Sequence, residues 1–284
     1  MHVVTIARDA DLDALRQELP QADAILVMPR MNHVLRELWP YAKNVRWVHT
    51  LAAGVETLLF PELVASDVVV TNGRGAFANA LAEFVVGAML WFAKDIDRMR
   101  RNQHRHRWEP FDVVRIEEAT VGIIGYGSIG RAVASRCEAF GMDVIAFRRG
   151  SLNLDELLTA SDYIVICAPL TPSTRGLLGA PQLALMKESA VLINVGRGPI
   201  VDEAALIDAL RERRIRGAAL DVFDEEPLPP EHPFWSLDNV LLSPHCADHT
   251  ADAHERAMDV FHDNLARFER GEELVNVVDK EKRY

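Results

Sequence analysis

The chain has 284 residues, too many for one ordinary core and about right for two domains of roughly 100–200 residues each. Hydrophobic residues at 49% and charged residues at 26% fit a soluble globular protein, and a net charge of −11 argues against a general binder of nucleic-acid phosphates, which needs a basic surface. Cys137, Cys167 and Cys246 are scattered without a C-x-x-C pair, and the stretch MHVVTIARDADLDALRQELP soon turns charged; together these read as cytoplasmic, with no signal peptide, membrane span or zinc framework.

In chain order, the β-branched runs VVTIA, ADAILVM, VRWVHT and DVVVTN read as strands, and DLDALRQEL and HVLRELW between them as amphipathic helices. This alternation predicts a parallel sheet covered by helices. From Asn79, NALAEFVVGAMLWFAKDIDRMRRNQH lacks proline and keeps a helical apolar period, which predicts one helix of about 25 residues and roughly 40 Å, crossing from a first domain to a second. A second alternating series follows. It has strands at ATVGIIGYG, DVIAF, DYIVICAP, AVLINVG, IRGAALDVF and VLLSPH. Helices are predicted from Ser128, around LDELLTA, at PQLALM, at EAALIDALRER, and from about Thr250 to Arg270. The apolar LVNVV of the tail needs a partner surface and is assigned back to the first domain. The expected fold is α/β, with two doubly wound parallel-sheet domains. A Rossmann dinucleotide-binding domain, 96–271, is inserted in a flavodoxin-like outer domain made of 1–95 and 272–284.

TVGIIGYGSIGRAVASRC carries Gly125, Gly127 and Gly130 in G-x-G-x-x-G spacing, between an apolar strand and a helix that opens with Ser128 and Ile129. That context is what the dinucleotide fingerprint requires: a tight turn, close backbone approach to pyrophosphate, and phosphates at a helix N-terminus. The second strand should end in an acid for the ribose 2′-hydroxyl. Here it ends in Phe147–Arg148–Arg149, with no acid before Asp155. Guanidinium suits a 2′-phosphate, so NADP(H) is the expected cofactor, with NAD as the alternative and Ser151 assisting.

Three later strand ends carry ionisable side chains: Arg197 in LINVGRGPIVDE, Glu226 before Pro227 in GAALDVFDEEPLPP, and His245 after Pro244 in VLLSPHCADHT. Ligands of open α/β sheets sit beyond such ends. An arginine for a carboxylate and carbonyl oxygen, a histidine for proton transfer and a carboxylate to orient it suit hydride chemistry on a 2-oxo acid.

The motif order GYGSIGRAVASRCEAFGMDV, CAPLTPSTRGLLG, LINVGRGPIVDEAALIDAL, ALDVFDEEPLPPEHPFW and LLSPHCA resembles the D-isomer-specific 2-hydroxyacid dehydrogenase family, over about Val45 to Val277. The resemblance implies that Arg197, Glu226 and His245 are catalytic, and that Pro169, Thr174, Val195 and Asp221 in these motifs join the cofactor-binding set. TLAAGVETL is similar to the family's carboxylate-binding loop and matches at Ala53, Gly54 and Val55. TNGRGAFANALAEFVVGAML resembles the entry into the crossing helix, with Glu83 in place. The implied substrates are small 2-oxo or D-2-hydroxy acids such as glyoxylate or hydroxypyruvate, and the implied assembly is a homodimer with a surface near the crossing helix. The chain departs from the family at Asp248 and His249, where glycine commonly follows SPHxA. Glu226 separates it from the formate-oxidising relatives, which carry glutamine there.

RMRRNQHRHRW reads as a solvated helix end, since His104 and His106 without a nearby acid or cysteine make a poor metal site. DEEPLPPEHPFW reads as an active-site loop, with His232 and Trp235 either shaping it or covering the pocket. A second functional reading is a non-catalytic nucleotide-sensing protein on the same fold, like the corepressors of this family. A pure binding module has no need of the Arg197–Glu226–His245 set, which favours the enzyme.

Overall fold

A computed structural model of the chain describes residues 1–8, 10–147 and 153–284. Among them ten strands form two parallel sheets. In the first, β1 (Val3–Ile6), β2 (Ala24–Val27), β3 (Trp47–Thr50) and β4 (Val69–Asn72) lie side by side in chain order. The second contains β5 (Thr120–Ile124), β6 (Asp143–Phe147), β7 (Tyr163–Ile166), β8 (Val191–Asn194), β9 (Gly217–Leu220) and β10 (Val240–Leu242) in the order β10-β9-β8-β7-β5-β6. Every strand run expected from the sequence is present. The strand-order reversal of a doubly wound sheet lies in the second sheet, where the chain leaves β6 and re-enters beyond β5 as β7.

The chain divides into two compact units, Met1–Phe77 with Thr250–Tyr284, and Ala78–His249. In the first, alternate residues of β2 feed two different cores because strand side chains alternate faces. Ile25 and Val27 join Leu35, Leu38, Val48 and Leu63 on one face, while Ala24 and Leu26 join Trp47 and Phe261 on the other. The helix Ala253–Arg270 closes that second face. Its Phe261 and Phe268 rings lie 5.5 and 5.3 Å from Trp47, the first of them stacked. The tail returns as expected: Val278 N–H donates to Val70 O at 2.8 Å, and Val277 bridges antiparallel to Thr71. Lys280 Nζ donates to the carbonyls of Leu63, Ser66 and Val68 at and beyond the end of the short helix Pro61–Val64, pinning the tail there.

The second unit corrects two expectations. The predicted 25-residue helix is broken into Ala78–Ala93 and Ile96–His104, because Asp95 adopts left-handed backbone (φ 47) and caps the second piece by accepting from Arg98 N–H at 3.2 Å. Asp tolerates that conformation better than most residues. Nor does the first piece cross between domains. It packs on the helix Ser128–Ala139, Phe92 abuts Gly217 of β9, and the Arg216 guanidinium donates to Phe92 O. The boundaries therefore fall at 77/78 and 249/250 rather than at 95/96 and 271/272, since each boundary helix is fastened to the sheet it buries its apolar face against.

Candidate active site

The glycine loop follows β5 at the strand-order reversal, where α/β sheets bind ligands. Gly125 has φ +97, and a Cβ there would stand 2.5 Å from Ala168 N beyond β7; a Cβ on Gly130 would stand 2.3 Å from Gly125 O. Neither position tolerates a side chain. Gly127 opens on space, with nothing within 4 Å of a Cβ, at the N-terminus of the helix Ser128–Ala139, and no side chain caps that end. Ser128 and Ile129 form its first turn. Uncapped N–H groups beside an open cradle fit a dinucleotide pyrophosphate. Beyond β7, Thr174 Oγ1 donates to Pro169 O at 2.7 Å and accepts from Thr171 N–H at 2.8 Å, tying the loop to itself. Val195, just past β8, is buried, and its N–H donates to Ile166 O at 3.1 Å. Arg148, Arg149 and Ser151, expected at the cofactor ribose, lie outside the described residues.

β8, β9 and β10 are parallel neighbours, so the segments that follow them leave the sheet side by side. They carry Arg197, Glu226 and His245 respectively. Asn194, buried at the end of β8, shapes the first. Its Nδ2 donates to Arg197 O at 3.0 Å and its Oδ1 accepts from Gly196 N–H at 3.0 Å, turning the chain back. The Arg197 guanidinium donates to Gly196 O at 2.7 Å. A Cβ on Gly198 would stand 2.1 Å from the carbonyl carbon of Phe223, so only glycine lets the Arg197 segment pass the loop after β9.

On that loop Glu226 is held at both oxygens: Oε1 accepts from Phe223 N–H at 3.0 Å, and Oε2 lies 2.6 Å from His245 Nδ1. A carboxylate offers no proton, so Nδ1 is the donor and the ring presents Nε2 to its other side. Nε2 has no protein partner among the described residues, and the His245 side chain is 41% exposed. His245 has left-handed backbone (φ 52), an arrangement costing about 1 kcal/mol or more for a non-glycine residue. Asp221 stabilises it. Buried at the end of β9, it accepts at Oδ1 from Ser243 Oγ (2.5 Å), Cys246 N–H (2.9 Å) and Ala247 N–H (3.1 Å), bracketing the histidine. Burial pushes the Asp221 carboxyl above its ordinary range, against the downward pull of these three hydrogen bonds. Asp248 and His249 lie on the same loop, with His249 Nε2 3.7 Å from Asp248 Oδ1.

In the first unit, Ala53, Gly54 and Val55 follow β3. Asn72 Nδ2 donates to Ala53 O at 2.7 Å, and Gly73 N–H donates to Ala52 O at 3.0 Å. The amides of Ala53, Gly54 and Val55 donate to no protein acceptor among the described residues, as an anion-binding loop requires.

Residues 86–247 match the sequence profile described as D-isomer specific 2-hydroxyacid dehydrogenase, NAD binding domain. The chain belongs to the D-isomer specific 2-hydroxyacid dehydrogenase family. Its two parallel-sheet units are those of the family's enzymes, an NAD(P)-linked oxidoreductase architecture with a Rossmann unit. The chain is 35% identical over 288 residues to a glyoxylate reductase of Thermofilum pendens, covering 95% of this chain and 85% of that one. It is 33% identical to a D-3-phosphoglycerate dehydrogenase of Methanocaldococcus jannaschii, of which it spans only about half, 55%, while 97% of this chain is covered. A D-isomer specific 2-hydroxyacid dehydrogenase from Xanthobacter autotrophicus Py2, solved with NADPH and MES, superposes at TM-score 0.84 and 32% identity, covering 100% of this chain and 99% of that one.

Sequence reasoning passes over Asn194, Ser243 and Glu203, which hold the strand-end segments in shape. Asn194 carries a usable signal, an Asn directly before a glycine-bounded turn. Ser243 and Glu203 carry none that separates them from ordinary surface residues.

Proposed function

We propose that the protein reduces small 2-oxo acids of the glyoxylate or hydroxypyruvate type with NADPH, and oxidises the D-2-hydroxy acids in reverse. The observation that carries this reading is the Glu226–His245 pair at 2.6 Å, with Glu226 locked by a backbone amide and Nε2 of the imidazole turned away from it. When bound, the nicotinamide supplies the hydride. His245, protonated, gives its Nε2 proton to the carbonyl oxygen as that oxygen becomes the alcohol, and takes it back in the reverse direction. Glu226 keeps Nδ1–H engaged throughout and offsets the imidazolium charge. Arg197 binds the substrate carboxylate and polarises the C2 oxygen through its planar fork. In the first unit the amides of Ala53, Gly54 and Val55, which donate to no protein acceptor among the described residues, are donors suited to a substrate carboxylate. On the cofactor side, Gly125, Gly127, Ser128, Ile129 and Gly130 take the pyrophosphate, and Pro169, Thr174 and Val195 line the approach. Asp221 keeps Oδ2 for the cofactor while Oδ1 holds the His245 loop. Arg148 and Arg149 pair with the 2′-phosphate, a reading supported by the absence of an acid between Phe147 and Asp155 and by the NADPH of the Xanthobacter relative.

The protein is proposed to act as a cytoplasmic homodimer. Free cysteines support the compartment, and a second copy would cover exposed apolar side chains such as Trp108, 97% exposed, and Val113 and Val114. Among the described residues no helix is long and apolar enough to cross a membrane. NADPH and NADH oxidation with a panel of 2-oxo acids tests the reading. Turnover of small 2-oxo acids with a higher kcat/KM for NADPH is expected; no turnover with any of them, or a clear NADH preference, contradicts it.

A further inference from the structure

A second glutamate–histidine pair lies outside the proposed chemistry. His232 Nε2 stands 3.0 Å from Glu203 Oε1, with the two side chains only 14% and 20% exposed. Phe234 N–H points at the other ring nitrogen, Nδ1, at 3.3 Å. A backbone N–H only donates, so Nδ1 is the acceptor, and Nε2 carries the proton that goes to Glu203. The second oxygen of Glu203 accepts from Asp224 N–H at 3.2 Å. Both ring nitrogens are thus committed within the protein and each carboxylate oxygen has a protein partner, which leaves the imidazole no nitrogen with which to move a proton to or from a ligand.

Its position gives it another use. Asp224 opens the loop that carries Glu226, and His232 closes it; one carboxylate therefore holds both feet. Inside the loop, His232 N–H and Trp235 Nε1 both donate to Pro229 O, at 3.0 and 2.8 Å, and Phe234 anchors the far foot in the core with 2% exposure. Glu203 is itself fixed. It stands in the first turn of the helix Glu203–Arg211, whose N-cap Asp202 accepts from Ala205 N–H at 3.0 Å, and it follows the Arg197 segment that passes backbone to backbone against Phe223.

We propose that Glu203 and His232 are positioning residues, a clasp that sets the Glu226 loop in register with the Arg197 segment and so holds Glu226 against His245. The inference rests on the proposed roles of Glu226 and His245. Hydrogen bonds in partly dry surroundings are stiff enough for this, and misplacing a reacting group by an ångström is costly in rate.

A double-mutant cycle tests the clasp, with kcat and KM for a 2-oxo acid and the Kd for NADPH measured in each variant. His232→Leu is expected to lower kcat roughly ten- to a hundredfold with NADPH affinity within about twofold of wild type. His232→Gln, whose amide still donates to Glu203, is expected to recover most of it. In a Glu226→Ala background, where no side chain remains to be positioned, the same His232→Leu change should cost less than about twofold more, because its effect runs through Glu226. Glu203→Gln, which keeps the side-chain volume, should repeat the pattern, and it decides the matter if His232→Leu lowers the thermal midpoint too far to assay. Wild-type kcat in folded His232→Leu or Glu203→Gln overturns the clasp, as does an equal loss in both backgrounds. Wild-type kcat in Glu226→Ala alone would instead remove the proposed role of Glu226, a result read from a different variant.

Discussion

Two imidazole–carboxylate pairs stand on neighbouring strand-end segments of one unit, at 2.6 Å (His245–Glu226) and 3.0 Å (His232–Glu203). Their chemistry is the same and their surroundings are not. His245 is 41% exposed and engages the protein through Nδ1 alone, on a loop bent by left-handed backbone. His232 is 14% exposed and spends both nitrogens on the fold. The contrast teaches that a pair is assigned to chemistry or to architecture by its uncommitted atoms and its access to solvent, not by the identity of the residues. A third histidine extends the series. His49 on β3 is fully buried, with Nδ1 2.7 Å from Thr71 Oγ1 and Nε2 without a partner among the described residues.

The comparison can be broken in several places. The largest expected effect is on the accessible pair: His245→Ala should lower kcat by about 10²–10⁴-fold, the usual weight of an acid–base group, in steady-state assays with a turned-over 2-oxo acid. Glu226→Gln keeps an acceptor for Nδ1–H but not the charge, and should cost roughly tenfold in kcat, in line with the difference between charged and neutral hydrogen bonds.

Acid stability sharpens the buried end of the series. Desolvation lowers the His49 pKa from 6.5 to about 4. The fold therefore holds the neutral ring, and its contribution is complete above pH 6.5 and lost as pH falls from there toward 4. At about 1.4 kcal/mol per pKa unit, the loss reaches about 3 kcal/mol. Urea unfolding at pH 7.5 and 4.5 should show a larger drop for wild type than for His49→Asn; equal drops would contradict the burial argument. The smallest effect belongs to Ser243→Ala, which removes one of three donors to Asp221 and should cost about 1 kcal/mol in the same experiment.

The fold was largely legible because parallel strands buried on both faces read as short continuous apolar runs, as AILV and YIVI do here. The break at Asp95 was not, since neither glycine nor proline marks it and the apolar period continues past it. The unit boundaries were missed for a related reason: helical periodicity says that a face is buried, not which sheet buries it. Arg197, Glu226 and His245 were legible from their places at strand ends. His232 was legible as a shaper of its loop, but its partner Glu203 was not, because residues 29 apart reveal their pairing only after folding. Arg148 and Arg149 lie outside the described residues, and their reading stands on the sequence and on the NADPH-bound relative.

The most direct measurement sets the two histidines side by side: kcat for His245→Gln and for His232→Gln in one assay, with NADPH and the best 2-oxo acid. The account predicts a loss of about 10²–10⁴-fold for the first and less than about threefold for the second, whose amide preserves the clasp. Comparable losses in the two variants, or a His245→Gln enzyme that turns over like wild type, would contradict it.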